Sequence, residues 1–400
     1  MRNKVLFISG SIGLGHVSRD LAIARALRRT RPDVKITWLA DEPARTVIRD
    51  AGESIAPESS MVSYGTNRIE KAAKEFRTNM AMIGVDMMGD AEANVKACRL
   101  VIEREHIDLV VGDETYDLLE AVHDRHGLLK DAKLVFIFDF VGFEAMTENP
   151  MERLYVNIAN GKWYKQMLDP RVAARVLFVG VREDIPDKDR GPFLSSFRDL
   201  MTRTDFLGYI LHFDPRELCD RDKVRNSLGY GDGPLIVCTV GGTSAGKPLL
   251  DLCAQACPLM QRSLPTARML LVCGPRIDPR SIEPRKGLEV VGYMPDLYRH
   301  LAACDLAITT ASGTTSLELL ALRRPFIYFP LEQHFEQSVH VSASNRRRGA
   351  DLRLPFSSTT PELLARTVLE NIGKRVDYEP IPLDGANRAA VLIDDVLRTP

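Results

Sequence analysis

The sequence predicts an α/β fold with a parallel sheet in each half of the chain. Three observations carry that reading. Short runs rich in β-branched and aromatic residues alternate with longer amphipathic segments from end to end. A chain of 400 residues is long enough for two cores of ordinary size. Each half also opens on an apolar run that passes through glycines into a helical segment, "KVLFISGSIGLGH" from Lys4 and "PLIVCTVGGTSAG" from Pro234.

In the first half the strand candidates are 4–9, 34–40, 108–113, 133–139 and 175–180. The stretch 67–105 reads as helix broken at Gly84 and Gly89. Its methionines (Met80, Met82, Met87, Met88) fit either an apolar groove or plain core packing. Residues 207–234 are polar and turn-rich, with Pro215, Gly229, Gly231, Gly233 and Pro234, and read as an inter-domain linker holding the first helix of a second domain. Strand candidates then resume at 234–240, 268–274, 288–293, 305–310 and 325–330. The expected domains are therefore 1–210 and 211–383, with a last helix in 384–400 able to dock back on the first.

Composition narrows the function. With 45% apolar and 27% charged residues the chain is that of a globular enzyme. A net charge of −1 gives no overall attraction to nucleic acid, so no nucleic-acid partner is expected. Seven cysteines form no paired framework, which suits a reducing cytoplasm. Cys253 and Cys257 lie four apart on a helical segment, but no second Cys/His pair stands at ligand spacing, so they read as buried thiols. The apolar run after "MRNK" is too short for an export signal, and no run reaches the roughly 18 apolar residues of a membrane span. The expected location is cytoplasmic, with at most peripheral membrane contact.

Two glycine loops follow strands. "GGTSAGK" from Gly241 nearly spells a phosphate-binding P-loop, but Pro248 stands where Ser or Thr must ligate magnesium, which disfavours a nucleoside triphosphatase. The helix after it still offers free N–H groups and a positive dipole end to phosphate oxygens. Gly10, Gly13 and Gly15 are spaced G-x-x-G-x-G rather than in the dinucleotide pattern, so a dehydrogenase is disfavoured too. A second anion-binding helix start follows Thr310, at "ASGTTSLE". There Thr315 and Glu318 have capping-box spacing, leaving Glu318 open between capping and ligand binding.

These motifs together resemble the GT-B glycosyltransferases of families 1 and 28, along essentially the whole chain. "GSIGLGHVSRDLAIARAL" is similar to the amino-terminal glycine-histidine loop, "GGTSAG" to the donor-diphosphate loop, and "VVGYMPDLYRHLAACDLAITTASGTTSLELLALRRPFIYFP" to the stretch from uracil pocket to donor-binding helix. The resemblance implies two Rossmann-like domains facing across a cleft, and an inverting transfer from a UDP-sugar to a lipid or small-molecule hydroxyl. It implies that Gly242 and Thr243 contact the diphosphate, that Tyr293 and Met294 border the base, and that Ser312, Gly313, Thr314 and Thr315 hold phosphate. Glu318 would then bind the ribose, and Glu336 with Gln337 the donor sugar. Thr310 departs from the pattern, since relatives carry a cationic residue there; Arg276 is a candidate substitute.

Transfer also needs a base. His16 lies between a strand end and a helix, with Gly13 and Gly15 allowing close approach of an acceptor, and an imidazole can exchange a proton at neutral pH. A loop histidine can equally be structural. Asp113 and Glu114 end another strand and read as base candidates or as a helix cap and a first-turn acid. Asp139 and His334 have weaker claims. The run Arg346–Arg347–Arg348 reads as a solvated helix face. No D-x-D motif flanked by strands is present, so neither metal nor cofactor is expected. A nucleotide-sugar epimerase of the same fold and a non-catalytic UDP-sugar-binding subunit are the alternatives.

Overall fold

The computed structural model describes residues 3–9, 14–63, 76, 90–185 and 200–399. The chain divides into two compact units. The described part of the first comprises 3–9, 14–63, 90–185, 200–212 and 382–399; that of the second comprises Phe76 and 213–381.

The first unit holds a six-stranded sheet of β1 (Lys4–Ser9), β2 (Lys35–Ala40), β3 (Leu109–Asp113), β4 (Lys133–Phe138), β5 (Arg175–Val179) and β6 (Thr204–Gly208). Its order is β2-β1-β3-β4-β5-β6, and every pair is parallel. Parallel strands are covered on both faces, which is why they read as unbroken apolar runs. On β1, Leu6 and Ile8 enter one core layer while Val5 and Phe7 enter the other. The helix Leu14–Thr30 buries Val17, Leu21, Ala24 and Leu27 against that second layer. The edge strand β6 is absent from the sequence-based expectation, because "TDFLG" is short and begins with polar residues.

The second unit holds β7 (Leu235–Thr239), β8 (Arg268–Val272), β9 (Leu288–Val291), β10 (Leu306–Thr310) and β11 (Phe326–Phe329) in the order β11-β10-β7-β8-β9, again all parallel. Its core takes in one residue from far upstream. The Phe76 ring stacks on Phe356 with centroids 4.1 Å apart, and its carbonyl accepts from the Glu332 N–H at 3.0 Å. The remainder of 64–89, including the four methionines and both expected helix breaks, lies outside the described residues; helix Ala91–Glu105 follows.

The carboxy-terminal helix, Gly385–Arg398, packs into the first unit. Ala389, Ala390, Ile393, Val396 and Leu397 join the layer under helix Leu14–Thr30, and Arg31 Nε donates to Asp394 Oδ1 at 2.5 Å. Where the chain leaves and re-enters this unit, Tyr209 N donates to Pro382 O at 2.8 Å. Arg346 and Arg347 are exposed as expected of a solvated face, but Arg348 is not. Its side chain is fully buried and donates to Ser344 Oγ at 2.7 Å, so the three arginines do not form one face.

Candidate active site

In an open parallel sheet, ligands bind beyond the carboxyl ends of the strands, where the strand order reverses. The first sheet reverses between β1 and β3, the second between β7 and β10. Both clusters of polar site candidates lie at these two points.

In the first unit, Ser9 ends β1 directly opposite Asp113, the last residue of β3, and Asp139 follows the end of β4. His16, Arg19 and Asp20 project from the first turns of helix Leu14–Thr30, at the three- and four-residue spacings that share a helix face. Arg19 is the hub. Its Nε donates to Asp113 Oδ2 at 2.8 Å and its Nη2 to Asp113 Oδ1, closing a fork on that carboxylate, while Nη1 donates to Asp139 Oδ2. His16 Nδ1 lies 2.8 Å from Arg19 Nη2 and 3.2 Å from Asp113 Oδ2, and its Nε2 lies 3.9 Å from Glu114 Oε2. Ser9 Oγ donates to Asp20 Oδ2 at 2.7 Å.

Four carboxyl groups thus crowd one guanidinium, and burial divides them. Burial acts upward on Asp113, but the Arg19 charge outweighs it and holds this carboxyl below its ordinary range. Asp139 behaves alike: burial acts upward, and Arg19 wins. Glu114 goes the other way, pushed well up by burial and by the neighbouring Asp139. Asp20 is also pushed well up, by burial and by Asp113. Displacement of neighbouring carboxyls in opposite directions is what crowding around one buried arginine produces. Glu114 has a left-handed backbone (φ 52°), which a non-glycine residue adopts at a cost, and its N–H donates to Ile137 O at 2.9 Å. Its side chain is 7% exposed, and Oε1 has no partner among the described residues.

Neither acid caps a helix. Asp113 is the end of β3, and Thr115 holds the cap position of helix Tyr116–Asp124, so the capping readings of Asp113 and Glu114 fall away. One atom each of His16, Glu114 and Asp139 lies within 4.8 Å of the others, a spacing that lets one polar atom of a bound molecule reach all three at hydrogen-bond length. Beyond Glu114, Tyr116 stacks on Trp163 at 4.2 Å, and Trp163 lies 4.5 Å from Phe143, an aromatic wall. Arg19 and Asp20 were not singled out by sequence reasoning. The signal was a charged pair placed three and four residues after His16 on an otherwise apolar helix face. Gly15 lies in the first turn of that helix, and Gly13 lies outside the described residues.

In the second unit, β7 runs into Gly241 (φ +80°) and Gly242, and helix Lys247–Gln261 begins shortly after. A side chain at Gly242 would meet nothing within 4 Å, whereas one at Gly246 would collide with Val240, its Cβ 2.3 Å from that of Val240. The loop is therefore packed tightly underneath and open where a ligand would approach. Thr243 precedes the short turn Ser244–Gly246. Lys247 Nζ pairs with Asp251 at 2.8 Å on its own helix.

After β10, Ser312 occupies the cap position of helix Gly313–Ala321, and Thr314 and Thr315 fill its first turn. This start overturns the capping-box reading of Glu318. The helix begins two residues before Thr315, so Glu318 sits inside it, beyond reach of the free N–H groups. Buried there, the Glu318 carboxyl is pushed up to about 8. Thr310 Oγ1 donates to Val240 O at 3.5 Å, tying the two strand ends together, and Arg276 is half-buried beyond β8. Glu336 Oε1 lies 3.9 Å from where a Gly313 Cβ would stand, which places Glu336 beside this helix start. Glu336 and Gln337 open a π-helix, Glu336–Val341, a form of helix that recurs at functional sites. Gln337 Oε1 accepts from Leu331 N at 2.9 Å. His334 is buried, its Nδ1 has no partner among the described residues, and burial holds the ring down at about 4. Beyond β9, Tyr293 is exposed and Met294 packs against the core.

Two parallel-sheet units of this topology, each with its polar cluster at a strand-order reversal, define the GT-B class. Residues 236–390 match the glycosyltransferase family 28 C-terminal domain. An uncharacterized glycosyltransferase of Methanopyrus kandleri is 25% identical over 84% of this chain and 90% of its own. The UDP-N-acetylglucosamine–N-acetylmuramyl-(pentapeptide) pyrophosphoryl-undecaprenol N-acetylglucosamine transferase of Streptomyces collinus is 24% identical over 90% of this chain and 88% of its own. In fold, the chain is similar to the crystal structure of the glycotransferase of kitacinnamycin, with a TM-score of 0.59 at 17% identity over 100% of this chain and 95% of that one. The chain is a glycosyltransferase of GT-B fold whose residues 236–390 carry the family 28 C-terminal domain.

Proposed function

We propose that this glycosyltransferase moves a sugar from a UDP-sugar to a hydroxyl acceptor, with inversion at the anomeric carbon and without a metal. The carrying observation is the second unit's switch point, where the open Gly241–Gly242 loop and two helix starts follow the carboxyl ends of β7 and β10, with Glu318 buried in the second of those helices. Backbone N–H groups of both helix starts take the diphosphate, with Gly242, Thr243, Ser312, Gly313, Thr314 and Thr315 in contact with it. Glu318 binds the ribose diol, Tyr293 and Met294 flank the base, and Glu336 with Gln337 meets the sugar. As the bond to the anomeric carbon breaks, these donors stabilise the departing diphosphate.

The acceptor hydroxyl loses its proton to the polar cluster of the first unit. Asp113 is held by the Arg19 fork, so its part is to orient, and the base is His16 or Glu114. A lipid acceptor is the favoured class. The aromatic wall of Tyr116, Trp163 and Phe143 suits an apolar portion, and Met151, Leu154 and Ile158 form an exposed apolar stripe along helix Pro150–Leu168. That stripe supports peripheral membrane contact; no described helix is long and apolar enough to cross a membrane. The Streptomyces collinus relative, by its name, uses UDP-N-acetylglucosamine and an undecaprenol-linked acceptor, which supports both choices.

A nucleotide panel tests the donor site. UDP at 100 times its Kd stabilises the fold by about 2.7 kcal/mol, an increase in melting temperature that persists in EDTA. Glu318→Ala removes most of the shift. No shift with any pyrimidine nucleotide overturns the assignment. With a UDP-sugar, UDP release that appears only on adding acceptor separates transfer from epimerisation, and the anomeric coupling of the product reads the stereochemistry.

A further inference from the structure

The geometry points to Arg19 as a positioning residue that fixes the proton of His16: neutral His16 carries its hydrogen on Nε2, and the ring enters the site as a donor. The argument starts at Nδ1. Two groups compete for it, Arg19 Nη2 at 2.8 Å and Asp113 Oδ2 at 3.2 Å. A guanidinium has only donors to offer, so the Arg19 contact is a hydrogen bond only if Nδ1 offers its lone pair. A hydrogen on Nδ1 would instead set two donors against each other at 2.8 Å. Neither oxygen of Asp113 is left unpaired when Nδ1 accepts, because Oδ2 accepts from Arg19 Nε at 2.8 Å and Oδ1 from Nη2.

Arg19 cannot easily turn away from Nδ1. Its three nitrogens are committed at once to Asp113 and Asp139, and its side chain is 8% exposed. Neutral imidazole has one hydrogen, so with Nδ1 accepting, that hydrogen is on Nε2, the atom 3.9 Å from Glu114 Oε2. The Nε2–H then donates to the acceptor oxygen and aligns it.

The role in transfer rests on the function proposed above; the tautomer does not. In that reaction the acceptor's O–H proton passes to Glu114 in its ionised form, which burial makes a stronger base than an ordinary carboxylate, while its oxygen bonds to the anomeric carbon. The carbon–oxygen bond to the diphosphate breaks, and its electron pair leaves on the phosphate oxygen. Glu114 is therefore the base and His16 the donor beside it.

Nitrogen-15 NMR of the full chain labelled at its eight histidines reads the tautomer directly. His16→Gln identifies the His16 signals by deleting them. At neutral pH the wild-type ring is expected to show an unprotonated Nδ1 and a protonated Nε2. In Arg19→Met the pattern should invert, since Nδ1 is then free to hold the hydrogen and donate it to Asp113. A wild-type Nδ1 that carries hydrogen, alone or in the imidazolium, overturns the proposal even if the variant fails to fold. A folded Arg19→Met variant that keeps the Nε2–H pattern removes Arg19 from the role. A chain that shows the expected spectra but turns over no nucleotide sugar defeats the reaction and leaves the tautomer assignment standing.

Discussion

Glu318 shows how one buried carboxyl makes stability depend on pH. It is fully enclosed within helix Gly313–Ala321, and burial holds it protonated up to about 8, against 4.5 in an unfolded chain. Between those two values the folded state retains a proton that the unfolded state has released. Stability therefore falls as pH rises through that window, by about 1.4 kcal/mol per pH unit from this group. Glu318→Gln has no such proton to lose, so its denaturation midpoint should decline less steeply from pH 5 to pH 8 than that of the wild type. Some slope remains, because Asp20 and Glu114 are displaced in the same direction. Superimposable pH profiles for the two proteins would mean that the carboxyl is ionised in the native state. At this scale the sequence was only half legible. Asp113 could be picked out because it ends an apolar run, where a polar residue needs a reason, and His16 because it stands in a glycine loop between a strand end and a helix. Arg19 could not, because an arginine on a helix ordinarily reads as solvated, and only the fold brings Asp113 and Asp139 against it.

The strand-to-helix loop after β7 makes two demands on its glycines, and substitution separates them. Gly246 backs onto Val240, so a methyl group there must displace a buried side chain. Gly246→Ala should cost about 1–3 kcal/mol in urea unfolding, the range for overpacking a tight contact. Gly242 borders open space. Gly242→Val should leave the unfolding midpoint close to wild type while sharply weakening UDP binding in calorimetry. Equal losses of stability from both would show that the open side is part of the packing. The elements themselves were well announced by the sequence wherever strands are buried on both faces: β1, β4, β7 and β10 are continuous apolar runs. The short β6 carries no such run, and the capping alternative for Glu318 stayed open because Thr315 and Glu318 imitate a capping box inside helix Gly313–Ala321.

At the scale of the molecule, neither unit is a single stretch of chain. Residues 382–399 complete the first unit's core, and Phe76 belongs to the second. Ile393, Val396 and Leu397 each contribute about 1.5–3 kcal/mol through burial. Their sum is comparable with the whole stability of a domain. A chain ending at Ile381 should accordingly lose hydrogen-exchange protection throughout β1–β6 while β7–β11 stay protected. Protection retained in β1–β6 would make the tail dispensable. The crossing at Tyr209 and Pro382 also dictates how hybrids between relatives must be cut. An exchange of amino-terminal halves at a single junction near residue 210 would pair a foreign sheet with the host's last helix, mismatching the layer beneath helix Leu14–Thr30. Two junctions, one on each side of that crossing, would let the recipient inherit the new half together with the helix that closes it.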